Sequence, residues 1–158
     1  MDSVVNQTLK DIEIICIDDY SSDKSVDIVE NFIKSDIRVK LFKNERNRGV
    51  SYCRNFGISI ANSNYIGFVD SDDSVDINMY KIMYELAKKD DSCMVICNFR
   101  LIDKFDIKAF KSFYKNQTKD LLFKKTLSKD LVPFPVNRIY KKKLFIKNKI
   151  KYLEDRVY

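Results

Sequence analysis

The chain has 158 residues, 45% apolar and 33% charged, with 29 Lys/Arg against 23 Asp/Glu and no histidine. This length and composition suit one soluble domain with a real core. They exclude His-based triads and imidazole bases, and leave carboxylates, metal, Lys, Arg, Tyr or Cys to carry any catalysis. No apolar run reaches the roughly 18 residues that cross a bilayer, and Met1-Asp2 does not read as a secretory leader.

Short apolar runs alternate with stretches of helical period, the pattern of βαβ units around a parallel sheet. A helix-like tail precedes a β-prone run at 12–17, which ends in Asp18-Asp19. Ser21 and Ser22 offer caps for a helix reaching about 35, with Val26, Val29, Phe32 and Ile33 as its apolar face. A short strand at 39–42, a polar loop at 44–49 and a helix carrying Val50, Cys53, Gly57, Ile60 and Ala61 follow. The third strand is 65–69, a helix is predicted from Asp76, and a fourth strand covers 93–99. Right-handed crossovers make this an α/β fold, a three-layer α/β/α sandwich with a mostly parallel sheet. Past Arg100 the pattern weakens: 115–130 is faintly helical, 132–136 is an extended break around two prolines, and 140–146 reads as a short helix.

Charge is unevenly spread. Residues 101–151 hold 15 Lys/Arg against four Asp/Glu, a net +11, and the remainder carries −5. The basic third is either a solvated Lys-rich surface or one that attracts phosphates or an anionic membrane face. No helix-turn-helix, RNP or OB pattern surrounds it, so a nucleic-acid partner is not expected. Cys16, Cys53, Cys93 and Cys97 read as buried free thiols of a reducing compartment. The spacing of Cys93 and Cys97, without a second pair, argues against zinc.

The third strand delivers Asp70, Asp72 and Asp73 within four positions. Carboxylates so close repel unless compensated, and a hard divalent ion with phosphate ligands is the usual compensation. An EF-hand is excluded, because Val75 stands where its glycine belongs and Lys81 where its bidentate glutamate belongs. An aspartyl phosphatase would place its D-x-D after the first strand, not the third. A D-x-D nucleotide-sugar site remains, beside the plain reading of an acidic turn that caps the next helix. The 18–23 turn is a second acidic strand end, and parallel strands bring it toward the same sheet edge. Arg54, about one turn into the helix after Gly49, supplies a cation within reach of a diphosphate or of the acidic cluster.

The ordered set Gln7-Thr8, 12–15, Asp18-Asp19-x-Ser21-x-Asp23, Asn47-x-Gly49-x-Ser51-x-x-Arg54-Asn55, Tyr65-Ile66-x-Phe68-x-Asp70-Ser71-Asp72-Asp73 and Glu154-Asp155 resembles family 2 glycosyltransferases of the GT-A fold over nearly the whole chain. The resemblance implies transfer of a sugar from a nucleotide-diphosphate donor, UDP-linked above all, to an acceptor hydroxyl in cell-surface glycan synthesis. It implies that Asp18 contacts uracil with Asp19 beside it, and that Arg54 lies near the nucleotide. Asp72 and Asp70 would hold Mn²⁺ or Mg²⁺, with Asp70 also near the ribose. Glu154-Asp155 resembles the acidic pair whose aspartate is the general base of inverting members. Residues 1–100 would then form the nucleotide-sugar half, and 101–158 the basic acceptor-side segment of the same domain.

Set against the family pattern, the usual first strand with its Pro-x-Tyr-Asn turn is missing, as are the helices beyond the acidic pair, and Tyr20 replaces a glycine. An exposed parallel edge and an incomplete pocket are therefore expected. The alternative expectation is a truncated, inactive remnant that at most binds nucleotide and metal. A lipid-linked or glycan acceptor would suit the basic segment, with the protein cytoplasmic or peripheral on the inner membrane face.

Overall fold

The structure, a computed structural model, describes residues 1–97, 99–102, 107–110 and 135–154. Helix α1 (Asp2–Val5) leads to strand β1 (Ile14–Asp18), helix α2 (Ser25–Ser35) and strand β2 (Val39–Lys43). Helix α3 (Val50–Ile60), strand β3 (Tyr65–Gly67), helix α4 (Met79–Lys89) and strand β4 (Met94–Ile96) follow. Strands β5 (Phe99–Ile102) and β6 (Ile107–Phe110) form an antiparallel pair, and a 3₁₀ turn (Pro135–Asn137) enters β7 (Arg138–Lys141) and helix α5 (Lys142–Asn148). The weakly helical 115–130 stretch lies outside the described residues.

β1 and β2 pair in parallel, with Ile14 opposite Val39 and Asp18 opposite Lys43. β7 lies between β3 and β4 and is antiparallel to both, so those two run in the same direction with a reversed strand between them. The crossover strands thus keep the sense expected of βαβ units. The segment expected to open a helix at 140 instead finishes strand β7, and α5 starts two residues later. Ile139, 3% exposed, explains this: it wedges beneath Met83 and Ala87 of α4, and burial outweighs local propensity.

The pleat sorts side chains into two cores. Tyr65, Ile139 and Val95 pack under α4 with Met83 and Ala87. Ile66, Phe68 and Tyr140 face the other way, onto Ile58 and Ala61 of α3 and Phe145 of α5. Helices therefore cover both faces, giving the three layers. Ile15 of β1 joins the α3 core, and Ile17 Cδ1 comes within 3.2 Å of a Cβ built on Gly57. α3 is thus the bridge between the two sheets, which share no ladder among the described residues.

Helix α4 starts at Met79, not at Asp76, for a tertiary reason. Gln7 is fully buried; its Nε2 donates to Asp76 O at 2.7 Å and Ser3 O at 2.9 Å, and its Oε1 accepts the Tyr80 N–H at 3.2 Å. Thr8 N–H donates to Ile77 O at 2.9 Å. These bonds hold 76–77 in a turn, and Gln7 supplies the cap that the helix's own Asn78 does not. Gln7→Leu is expected to lose on the order of 3 kcal/mol in urea unfolding, because buried backbone groups are left without partners.

Candidate functional site

The turn after β1 is set by Asp19. Its Oδ1 accepts Asn44 Nδ2–H at 2.7 Å and Arg48 N–H at 2.8 Å, and its Oδ2 accepts Gly49 N–H at 2.7 Å. Burial works to raise the Asp19 pKa, but the bonds from Asn44 and from the Arg48 and Gly49 amides outweigh it, and the carboxyl lies below its usual range. Gly49 takes φ +82°, a left-handed conformation that lets the loop turn into α3. Tyr20 takes φ +67°, so the tyrosine adopts the backbone its glycine counterpart would prefer. Asp18 Oδ2 accepts the Ser21 N–H at 3.2 Å. Beside this turn, the Arg48 guanidinium lies 3.9 Å over the Tyr52 ring, at the edge of a shallow cleft lined by Lys43, Asn44, Glu45 and Arg46.

Two further acidic elements meet α3 one turn on. Arg54 Nη2 bonds Asp70 Oδ1 at 2.9 Å; the arginine side chain is 18% exposed and the aspartate 44%. Asp73 N–H donates to Asp70 O at 3.1 Å, turning the chain so that Asp72 and Asp73 are exposed. The Asp73 pKa is raised, first by burial and then by the charges of Asp70 and Asp72. Glu154 Oε1 accepts Asn55 Nδ2–H at 2.8 Å. Asp155 lies outside the described residues.

α3 therefore gathers Asp19 at its entry, Asp70 at Arg54 and Glu154 at Asn55, with Asp18 adjoining the first. Asp72 stands out on the exposed turn. No group of three His, Cys, Asp or Glu that could hold a metal ion occurs among the described residues. The donor set nevertheless suits Mg²⁺ or Mn²⁺, which commonly take one or two protein carboxylates and complete their shell with substrate phosphates and water. Asn44 and Asn55 were not singled out in the sequence as site residues. Asn55 ends one of the motifs that carry the family resemblance and Asn44 opens the polar loop, but neither was given a role.

One thiol adjoins the Asp19 turn. Cys53, in contact with Asn44, is pushed up to about 11 by burial and by the charge of Asp19, so it stays a protonated thiol. All four cysteines are free. Cys93, expected to be buried, is exposed at the bend before β4.

A model of glycosyl transferase family 2 matches residues 1–148. The glycosyltransferase GlyG of Streptococcus pneumoniae is 38% identical over 67% of this chain and 35% of its own length. The poly(ribitol-phosphate) beta-glucosyltransferase of Bacillus spizizenii is 32% identical over 100% of the chain and 26% of its own length. TarS of S. aureus, free and in complex with UDP, superposes with TM-scores of 0.83 and 0.78 at 23% and 21% identity. Both superpositions cover 98% of this chain and 45% of the TarS chain. The chain thus spans less than half of each of these proteins.

The Asp19 clamp makes a pH-dependent contribution to stability. Its pKa is lower folded than unfolded, so the contribution is complete above the ordinary carboxylate pKa of about 4 and is lost as pH falls through the folded value. Urea unfolding of the wild type and Asp19→Ala is expected to differ most near neutrality and to converge on acidification. Gly49→Ala meets nothing within 4 Å. Its expected loss of about 1–2 kcal/mol is purely a backbone cost.

Proposed function

The chain belongs to glycosyl transferase family 2, and on that premise we propose that it binds a nucleoside-diphosphate sugar, UDP-linked above all, and passes the sugar to an acceptor hydroxyl. One observation carries the reading: a single helix brings the partly buried Arg54 onto Asp70 while its entry is tied to the acidic turn holding Asp18 and Asp19. The UDP bound by TarS supports the choice of nucleotide.

In this reading Asp18 contacts the base, while Asp19, both of whose oxygens already accept N–H groups, shapes the loop that receives it. Arg54, paired with Asp70, would lie near the diphosphate. Asp72 and Asp70 would hold Mn²⁺ or Mg²⁺, which supplies positive charge to the leaving diphosphate when bound. At the acceptor side a carboxylate of the Glu154-Asp155 pair takes the hydroxyl proton as that oxygen attacks the anomeric carbon. The bond from that carbon to the diphosphate oxygen breaks, and the charge left there is offset by Arg54. Residues 1–100 form the donor half and 101–158 the acceptor-side segment. The product belongs to cell-surface glycan synthesis.

Calorimetric titration with UDP and Mn²⁺ tests the donor site. Binding is expected to weaken about tenfold or more, some 1.4 kcal/mol, in Asp72→Ala. Folded wild type that binds no UDP overturns the proposal. Binding without sugar transfer would point to a nucleotide-and-metal-binding remnant, a reading favoured by β1–β2 and β3–β7–β4 sharing no ladder among the described residues. The basic residues of 101–151 are further proposed to rest on an anionic membrane face. No helix among the described residues is long and apolar enough to cross a membrane. The protein should float with anionic liposomes at physiological salt and sink with neutral ones; sinking with both removes the membrane role.

A further inference from the structure

Residues 54 and 55 are neighbours on α3, yet they grip two parts of the chain far apart in sequence. Arg54 holds Asp70 at the end of the third-strand segment. The Asn55 amide makes three bonds to the segment 152–154. Its Oδ1 accepts Tyr152 N–H at 2.8 Å, and its Nδ2 donates to Tyr152 O at 2.9 Å and to Glu154 Oε1 at 2.8 Å. One side chain thus satisfies both backbone groups of Tyr152, as a pairing strand would, and also holds the carboxylate two residues on.

Tyr152 is a suitable residue to grip. Its ring meets Phe68 edge-on at 5.8 Å, two residues before Asp70, and lies beneath the Arg54 guanidinium at 5.5 Å. It joins the core of Ile58, Ala61, Ile66 and Phe145. Ile58 is one turn past Asn55, on the same helix face, so the helix that orients the asparagine also buries the ring of the residue it grips. Beyond Ile150, whose N–H bonds Phe145 O, the described residues 151–154 lie in no helix or strand. The amide of Asn55 replaces one.

We infer that Asn55 is a positioning residue: it fixes the acidic segment after α5 at a set distance from the donor side of α3, and so places the Glu154 carboxylate relative to Asp70. This rests on the proposed sugar transfer for its catalytic consequence, but the clamp itself can be measured without turnover. A fixed carboxylate matters because a displacement of about 1 Å at a reacting group costs about a hundredfold in rate.

The test uses the full chain and two variants. Asn55→Ala should speed hydrogen exchange at the Tyr152 amide and lower kcat about ten- to a hundredfold, with UDP affinity and donor KM unchanged. Asn55→Asp keeps the acceptor for Tyr152 N–H but sets a carboxylate against Glu154. It should retain amide protection yet lose kcat to a similar extent, and it decides the matter if the alanine variant does not fold. Unchanged exchange at Tyr152 in folded Asn55→Ala overturns the inference, as does wild-type kcat in Asn55→Asp or a loss confined to UDP affinity. Wild type without any transfer activity would refute the proposed function; the exchange measurement would then uphold or overturn the clamp by itself.

Discussion

Three N–H groups converge on the carboxylate of Asp19, and the geometry of the candidate site depends on that convergence. The bonds from Asn44, Arg48 and Gly49 decide where α3 begins. Once its first residue is fixed, a helix has no freedom left in where later side chains fall. Arg54 and Asn55 therefore come to Asp70 and to the 152–154 segment because an aspartate in the turn after β1 holds the loop before them. The left-handed backbone at Gly49 is what lets the loop donate its amides to that carboxylate and still turn into the helix.

The same helix is the mechanical link between the sheets. Its inner face packs Ile58 and Ala61 against Ile15 on one side and Ile66 on the other. Its C-terminal end is closed by Lys142 Nζ on Ala61 O, a cation at the negative end of the helix dipole. Packing energy and functional geometry are thus carried by one element: apolar positions bind the two ladders together, and polar positions near its start reach the acidic turns. Beneath the other face, β7 performs a comparable task for α4, with Ile139 as its wedge.

Charge in the 70–73 turn is only partly balanced. Arg54 answers Asp70, while Asp72 and Asp73 stand on the exposed turn, where burial first and then the charges of Asp70 and Asp72 raise the Asp73 pKa. A turn built this way gains from any cation, and the proposed ion with its diphosphate would meet that need at the strand end where α/β folds bind ligands.

Local features were legible from the residues. The apolar runs marked β1 to β4, the helical period marked α2, α3 and α4, and the Asp18-Asp19 and Asp70–Asp73 turns stood out because acidic residues ended β-prone runs. Other features depended on contacts between distant positions. The end of β7, from residue 140, reads locally as the start of a helix and became strand because two edges and the underside of α4 were waiting for Ile139. The start of α4 moved because Gln7 and Thr8, some seventy residues earlier, took the carbonyls of 76 and 77. Asp19 and Asn55 belong to motifs the sequence does show, but neither spacing nor period reveals what they hold. A hydrogen bond between positions 55 and 152 leaves no periodic trace along the chain. The sequence by itself determined the α/β class and the acidic strand ends, because those follow from neighbouring residues. Only the tertiary structure decided which helix collects them and which side chains fix their distances, because those follow from packing.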